Sequence, residues 1–189
     1  MNLYAYVGNN SVMFVDLMGL EKNLIKYMLG DEYIEKLRKE GSIAGIDAIF
    51  IEAKRLSSND IDLASEWFAT ALMGTSNYQL ELRQPLMLGD LEGRDKVRHF
   101  ATAFNLTYNY NISPTITDGL GVLWEMKDIF EPLLNSGVGY DQSDIDADRF
   151  GIEFARVLKR DNTVIPSDIL NNNVPETYFE KIEFIPSVY

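Results

Sequence analysis

The sequence predicts a mostly α protein, a bundle-like multi-helix domain preceded by a short amino-terminal β-hairpin. Three observations predict it. Apolar residues recur at three- and four-residue spacing from Glu21 to about Arg160, and Gly, Asn and Pro cut that pattern into helix-length pieces. Only residues 2–20 cluster β-formers around a Gly-Asn-Asn turn. With 189 residues, 46% of them hydrophobic, the chain can bury one sizeable core. Its natural division is a hairpin segment, 1–20, and a helical domain, 21–189.

In chain order, Leu3, Tyr4, Tyr6 and Val7 favour a pleated surface, Gly8-Asn9-Asn10 tolerate positive φ, and Val12 to Val15 resume the β-formers. Leu24, Met28, Ile34 and Leu37 then mark a first helix over 21–40, stopped by Gly41. Ile43, Ile46, Ile49, Phe50 and Ala53 mark a second. Ser58 or Asn59 is placed to cap a third, with Leu63, Trp67, Ala71 and Leu72 on its apolar face. Residues 75–92 hold Gln84-Pro85 and Gly89 and read as the longest irregular connection, with a weak extended stretch at 78–82. A helix from about Arg94 to Tyr108 follows, and another from Pro114 to Leu134. The Gly137-Val-Gly139 turn leads to Ser143, a suitable cap for a last long helix ending near Arg160. The tail, with Pro166, Asn171 to Asn173 and Pro175, reads as loop. Trp67 and Trp124, among aliphatic neighbours at helical spacing, read as core anchors.

Composition narrows the function. A net charge of −12, from 29 acids against 17 bases, repels a phosphate backbone over most of the surface, so nucleic acid is a disfavoured partner. The short basic cluster Arg94, Lys96 and Arg98, interrupted by Asp95, reads as a solvated helix face. The absence of cysteine excludes disulfides, thiolate metal sites and a cysteine nucleophile. No apolar run approaches the roughly 20 residues needed to span a bilayer, and Met1 to Gly8 lack a signal-peptide pattern. A soluble protein with no transmembrane segment is expected. No phosphate-binding glycine loop, G-x-S-x-G elbow or EF-hand register is present, although Asp141, Asp144, Asp146 and Asp148 are acidic enough to invite the last comparison.

Residues 2–20, NLYAYVGNNSVMFVDLMGL, resemble the closing segment of the RHS repeat-associated core, of the form N-L-Y-x-Y-V-x-N-N-P-x-x-x-x-D-P-x-G-L. Asn2, Leu3, Tyr4, Tyr6, Val7, Asn9, Asn10, Asp16, Gly19 and Leu20 fit; Ser11 and Leu17 replace the family's prolines. The resemblance implies a junction at Leu20-Glu21 between a repeat shell and a variable carboxy-terminal cargo, often a toxin released from the shell. It also implies, for Asp16, the aspartate that joins in self-cleavage in several members. A two-strand remnant cannot assemble an aspartyl pair, so Asp16 reads here as a vestige. Cytoplasmic synthesis, secretion as the cargo of a larger system, and an RHS shell or cognate immunity protein as partner are what this resemblance implies.

Three helices carry polar residues on otherwise apolar faces: Asp95 and His99 at i, i+4; Glu125 and Asp128 at i, i+3; Asp144 and Asp148 at i, i+4. His99 is the only histidine. The strings DKVRHF, WEMKD and DIDADRFG, within residues 94–154, are similar to those of the YfiM-like and VanZ-like helical families, in which D-K-x-x-H-F, E-x-x-D and D-x-x-A-D/N-x-x-G line one interior. If the helices converge, the cluster suits acid-base catalysis or a divalent metal, and a hydrolase follows. The candidate catalytic residues are His99, Glu125 and Asp128. The candidate metal ligands are Asp95, His99, Glu125, Asp128, Asp144 and Asp148, the metal's identity being open.

A plainer reading stands beside this one. Asp95 and Asp144 can serve helix amino-termini, Glu125 and Asp128 can pair with Lys127 or Arg149 on a solvated face, and a histidine beside aromatics is commonly a satisfied core residue. In function, the alternatives to an effector or toxin hydrolase are a non-enzymatic acidic interaction module, immunity-like or inhibitory, and an inactive orphan RHS fragment.

Overall fold

The computed structural model describes residues 24, 26, 27, 30–74, 91–130 and 141–178, with side chains left undescribed at some helical positions, among them 91–95 and 125–130. The hairpin expected over 1–20, the connection with its extended stretch at 78–82 and the Gly137–Gly139 turn lie outside these residues. Among the described residues there is no strand. Seven helices are bounded among the described residues: α1 Asp31–Glu40, α2 Ser42–Leu56, α3 Ile61–Gly74, α4 Leu91–Tyr108, α5 Pro114–Phe130, α6 Gln142–Leu158 and the single turn α7 Ser167–Leu170.

The expected first helix is interrupted. Leu24, Lys26 and Tyr27 are helical, but the chain bends at Gly30, whose N–H donates to Tyr27 O, before α1 begins. Gly41, at φ 87°, then turns the chain into α2 with a backbone that an L side chain rarely adopts. Ser58 and Asn59 also have positive φ, 57° and 65°. They form the left-handed turn closing α2, with Asn59 N–H donating to Lys54 O, so neither caps α3. That role falls to Asp60, whose Oδ1 accepts from Leu63 N–H. Similarly, α6 is capped by Asp141 rather than Ser143: Asp141 Oδ1 accepts from both the N–H and the hydroxyl of Ser143. Ser143 lies inside the first turn of α6, so its N–H is one of the donors to be capped rather than the group that caps.

The core is built on phenylalanine. Phe50, Phe68, Phe100, Phe104 and Phe154, from α2, α3, α4 and α6, are buried, with edge-on contacts at 5.1 Å for Phe50–Phe68 and 5.2 Å for Phe50–Phe154. Phe104 stacks on Phe154 at 5.1 Å. Such ring pairs add about 0.5–1.5 kcal/mol each to the burial of their area.

The most extensive helix pair is α4 with α6. On α6, Ala147, Gly151 and Ala155 form a buried i, i+4, i+8 stripe of small residues, and at Gly151 the two backbones nearly touch. A Cβ there would lie 2.2 Å from Phe100 O and 2.9 Å from Phe104 N. This close approach fixes α4 against α6 and aligns the polar faces of both. Beyond α6, Ser167 N–H donates to Asp47 Oδ1, tying α7, in a tail expected to be loop, back to α2.

Candidate functional site

At the α4–α6 interface Asp144 and Asp148 of α6 meet Lys96 and His99 of α4. Lys96 and His99 lie one turn apart on α4; Asp144 and Asp148 lie one turn apart on α6, with the cap Asp141 another turn back. Lys96 Nζ is 2.5 Å from both Asp141 Oδ2 and Asp144 Oδ1. His99 Nδ1 is 3.2 Å from Asp148 Oδ1, and its Nε2 is 3.8 Å from Asp144 Oδ1, beyond direct hydrogen bonding. The carboxylates of Asp144 and Asp148 are almost wholly buried, while His99 keeps about a fifth of its side chain in solvent.

Helix α5 closes the arrangement from the other side. Its Asp118, with no exposed surface, accepts from Arg149 Nε at 3.2 Å and Thr177 Oγ1 at 2.7 Å through its two oxygens, and from the Tyr178 N–H. One turn on, Gly121 leaves room for the Asp148 carboxylate: a Cβ at this position would lie 2.4 Å from Asp148 Oδ2. Three buried acids of α5 and α6 are thus matched by Lys96, His99 and Arg149 in an internal ionic layer.

The electrostatics follow from that layer. Burial raises the Asp148 carboxyl above its ordinary range, and the nearby Asp144 and Asp118 add to the shift while the His99 hydrogen bond opposes it. Asp141 is held well below the usual range by hydrogen bonds from Lys96 and then Ser143. For Lys96, burial lowers the pKa, but the hydrogen bonds to Asp141 and Asp144 outweigh it and the ammonium is stabilised.

Next to His99 and Asp148 lies an open groove of about 450 Å³ between α4 and α5. Its walls include Ala103, Leu106, Leu120 and Trp124, and Arg98 stands at its rim. Trp124, expected in the core, is 61% exposed; Trp67 is buried as expected. The difference is one of neighbours, since α3 is covered by α2 and α4 while the outer face of α5 has no described helix over it.

Of the residues singled out in the sequence, His99, Asp144 and Asp148 come together. Asp95, Glu125 and Asp128 lie on α4 and α5, but their side chains are outside what the structure describes. Helix α4 starts at Leu91, so Asp95 sits in its second turn rather than its first, which weakens the capping explanation for it. Arg149, suggested above as a partner for Glu125 or Asp128, bonds to Asp118 and lies 4.0 Å from Asp146. Lys96, read as part of a solvated face, is largely buried in its ion pairs. Among the described residues no group of three or more His, Cys, Asp or Glu is arranged to hold a metal ion, and no helix is long and apolar enough to cross a membrane.

Sequence reasoning passed over Lys96, Asp118 and Gly121. Asp118 carried a usable signal, an acid on the same face as Gly121 one turn away. Comparison with protein-family models, with curated proteins and with solved structures finds no match to this chain.

Proposed function

We propose that the helical domain is an effector-type cargo following an RHS-core closing segment, and that it acts as a hydrolase with His99 as general base. The observation that carries the chemistry is the His99–Asp148 contact at the edge of an open groove. A buried carboxylate on Nδ1 fixes the ring and stabilises the imidazolium formed when the base takes a proton from water. Lys96, by neutralising Asp141 and Asp144, keeps the surrounding acids from repelling a developing anion. The cargo assignment is supported by the ten matching positions between Asn2 and Leu20 and by the change to helical patterning after Glu21.

The metal-dependent form of this reading draws on Asp95, Glu125 and Asp128 to join His99 and Asp148. It competes with Lys96 for Asp144, where an ammonium already sits 2.5 Å from the carboxylate. A cation supplied by the chain itself favours the metal-independent form.

The test is expression of the full chain, wild type and His99→Ala, in a sensitive bacterial cell, directed to cytoplasm or periplasm. In parallel, the purified proteins are assayed on ester, amide and phosphodiester panels with and without chelator. Toxicity and turnover lost in His99→Ala, with far-UV circular dichroism unchanged, are expected, and insensitivity to chelator selects the metal-independent form. Toxicity retained in His99→Ala would remove the hydrolase. It would favour an interaction module instead, for which the exposed Ile116, Leu120, Leu123 and Trp124 on α5 are the specific support.

A further inference from the structure

We propose that the groove beside His99 binds an apolar alkyl or acyl chain, which makes the substrate of the site a carboxylic ester carrying such a chain; the ester part of this rests on the hydrolase reading above. The groove has two unlike ends. His99 and Asp148 occupy one, while Ala103, Leu106, Leu120 and Trp124 form the walls of the rest. Its volume, about 450 Å³, falls within the roughly 300–1,000 Å³ typical of small-molecule sites. Leu120 and Trp124 are 47% and 61% exposed, so an apolar ligand seated on them would take exposed apolar surface out of water.

The occupant is identified by the apolar character of the described walls. Among the described residues of the lining, away from His99, Asp148 and Arg98, the polar side-chain groups are the hydroxyls of Thr102 and Thr117 and the indole N–H of Trp124, and the Thr117 hydroxyl already accepts from Thr107. An extended peptide has an amide to match at every residue, whereas a hydrocarbon chain has none and is served by the apolar walls alone. Polyanions are disfavoured by the net charge of −12. A neutral chain with one polar group at the His99 end satisfies both constraints.

The step this geometry serves is hydrolysis of the ester bond. His99 takes a proton from water, the resulting hydroxide oxygen bonds to the carbonyl carbon, and the carbon–alkoxy bond breaks. The leaving alkoxide receives the proton from His99, so ester and water become acid and alcohol with no other reactant.

Two readouts test the proposal on the full chain. The first is binding of 1-hexanol, 1-octanol and 1-decanol, followed by the tryptophan fluorescence to which Trp124 contributes. The second is kcat/KM for the p-nitrophenyl esters of acetate, butyrate and octanoate. Affinity is expected to rise about fourfold for each methylene buried, and to lose that dependence in Leu120→Asp, a change at a half-exposed position that leaves the core intact. Chain-length-dependent binding without ester turnover sustains the groove and removes the hydrolase. Turnover equal for acetate and octanoate, with no binding of the alcohols, sustains the hydrolase and overturns the acyl-chain site. Neither binding nor turnover overturns both.

Discussion

Replacing Gly151 by alanine tests the closest contact in the fold. In a helix interior the change itself is favourable by roughly 0.8–1 kcal/mol, because alanine surrenders less backbone entropy. Against this, the new Cβ would stand 2.2 Å from Phe100 O and 2.9 Å from Phe104 N. Both atoms belong to the α4 backbone and cannot swing aside as a side-chain end can. Relief requires α4 and α6 to separate by about 1 Å along much of their shared length, loosening the stacking of Phe100 and Phe104 on Phe154. Overpacking of this kind costs about 1–3 kcal/mol, and contact with backbone puts Gly151→Ala at the upper end. The net loss is then about 2 kcal/mol, which for a protein of this size lowers Tm by about 4–8 °C. Thermal unfolding followed at 222 nm measures it. Gly41→Ala is the contrasting case: nothing lies within 4 Å of its added Cβ, and only its φ of 87° resists, so its loss should stay near 1–2 kcal/mol. Gly151→Ala melting at or above wild type would refute the close approach of α4 and α6.

Other expectations follow from the ionic layer and the tyrosines. Asp118→Ala removes the shared acceptor of Arg149, Thr177 and Tyr178 and leaves a largely buried guanidinium without its carboxylate. It should cost about 3–5 kcal/mol and expose residues 177–178 to limited proteolysis; a wild-type melt and cleavage pattern would contradict this. Gly121→Ala meets the Asp148 side chain, most closely its Oδ2, with no backbone atom among its three nearest neighbours, so stability should change by only about 1 kcal/mol. Any hydrolytic activity should fall with it as the carboxylate is pushed from His99, and unchanged turnover would remove Asp148 from the mechanism. Tyr108 and Tyr178 are raised from 10 to about 12, in each case first by burial and then by the hydrogen bond to an acid, Asp62 or Glu153. At pH between 10 and 12 the unfolded chain releases these protons while the folded chain keeps them, so stability should decline across that window. Melting scans from pH 8 to 11.5 would show it, with a shallower decline in Tyr178→Phe. On the acid side the sign reverses. Asp141 is held below its ordinary range chiefly by Lys96, so its contribution is present above about pH 4 and lost as pH falls. In Lys96→Met that part of the acid loss should disappear.

The helical fold was legible because its signals are local. Leu63, Trp67, Ala71 and Leu72 repeat at helical spacing whatever they pack against, and three of them prove buried while Leu63 packs at the edge of the core. Helix ends were less legible, because several residues nearby can each satisfy the same N–H groups. Asp60 and Asp141 outcompete Asn59 and Ser143 at the two caps, and sequence alone does not rank such neighbours. Trp124 was misread for a related reason. Spacing assigns it to an apolar face of α5, but whether that face is covered depends on helices distant in the chain.

The site divides along the same line. That His99 and an acid one turn along α6 belong together was inferred from three separate periodicities, and their meeting at 3.2 Å is a tertiary fact. What the spacing could not convey was the role of Lys96. Next to Asp95 in sequence, and between Arg94 and Arg98, it looked like one charge in a solvated run; in the fold it is the cation for Asp141 and Asp144, 45 and 48 residues away. This changes the chemistry expected of the cluster. Two acids already bound by an ammonium are poor ligands for a second cation, since displacing Lys96 would strand its charge at a site only 22% exposed. The same ammonium offsets Asp144 beside His99, so Asp148, at 3.2 Å, is the carboxylate left to act on the imidazole. The charge already paired at the α4–α6 interface therefore weighs against Asp141 and Asp144 as ligands of a further cation.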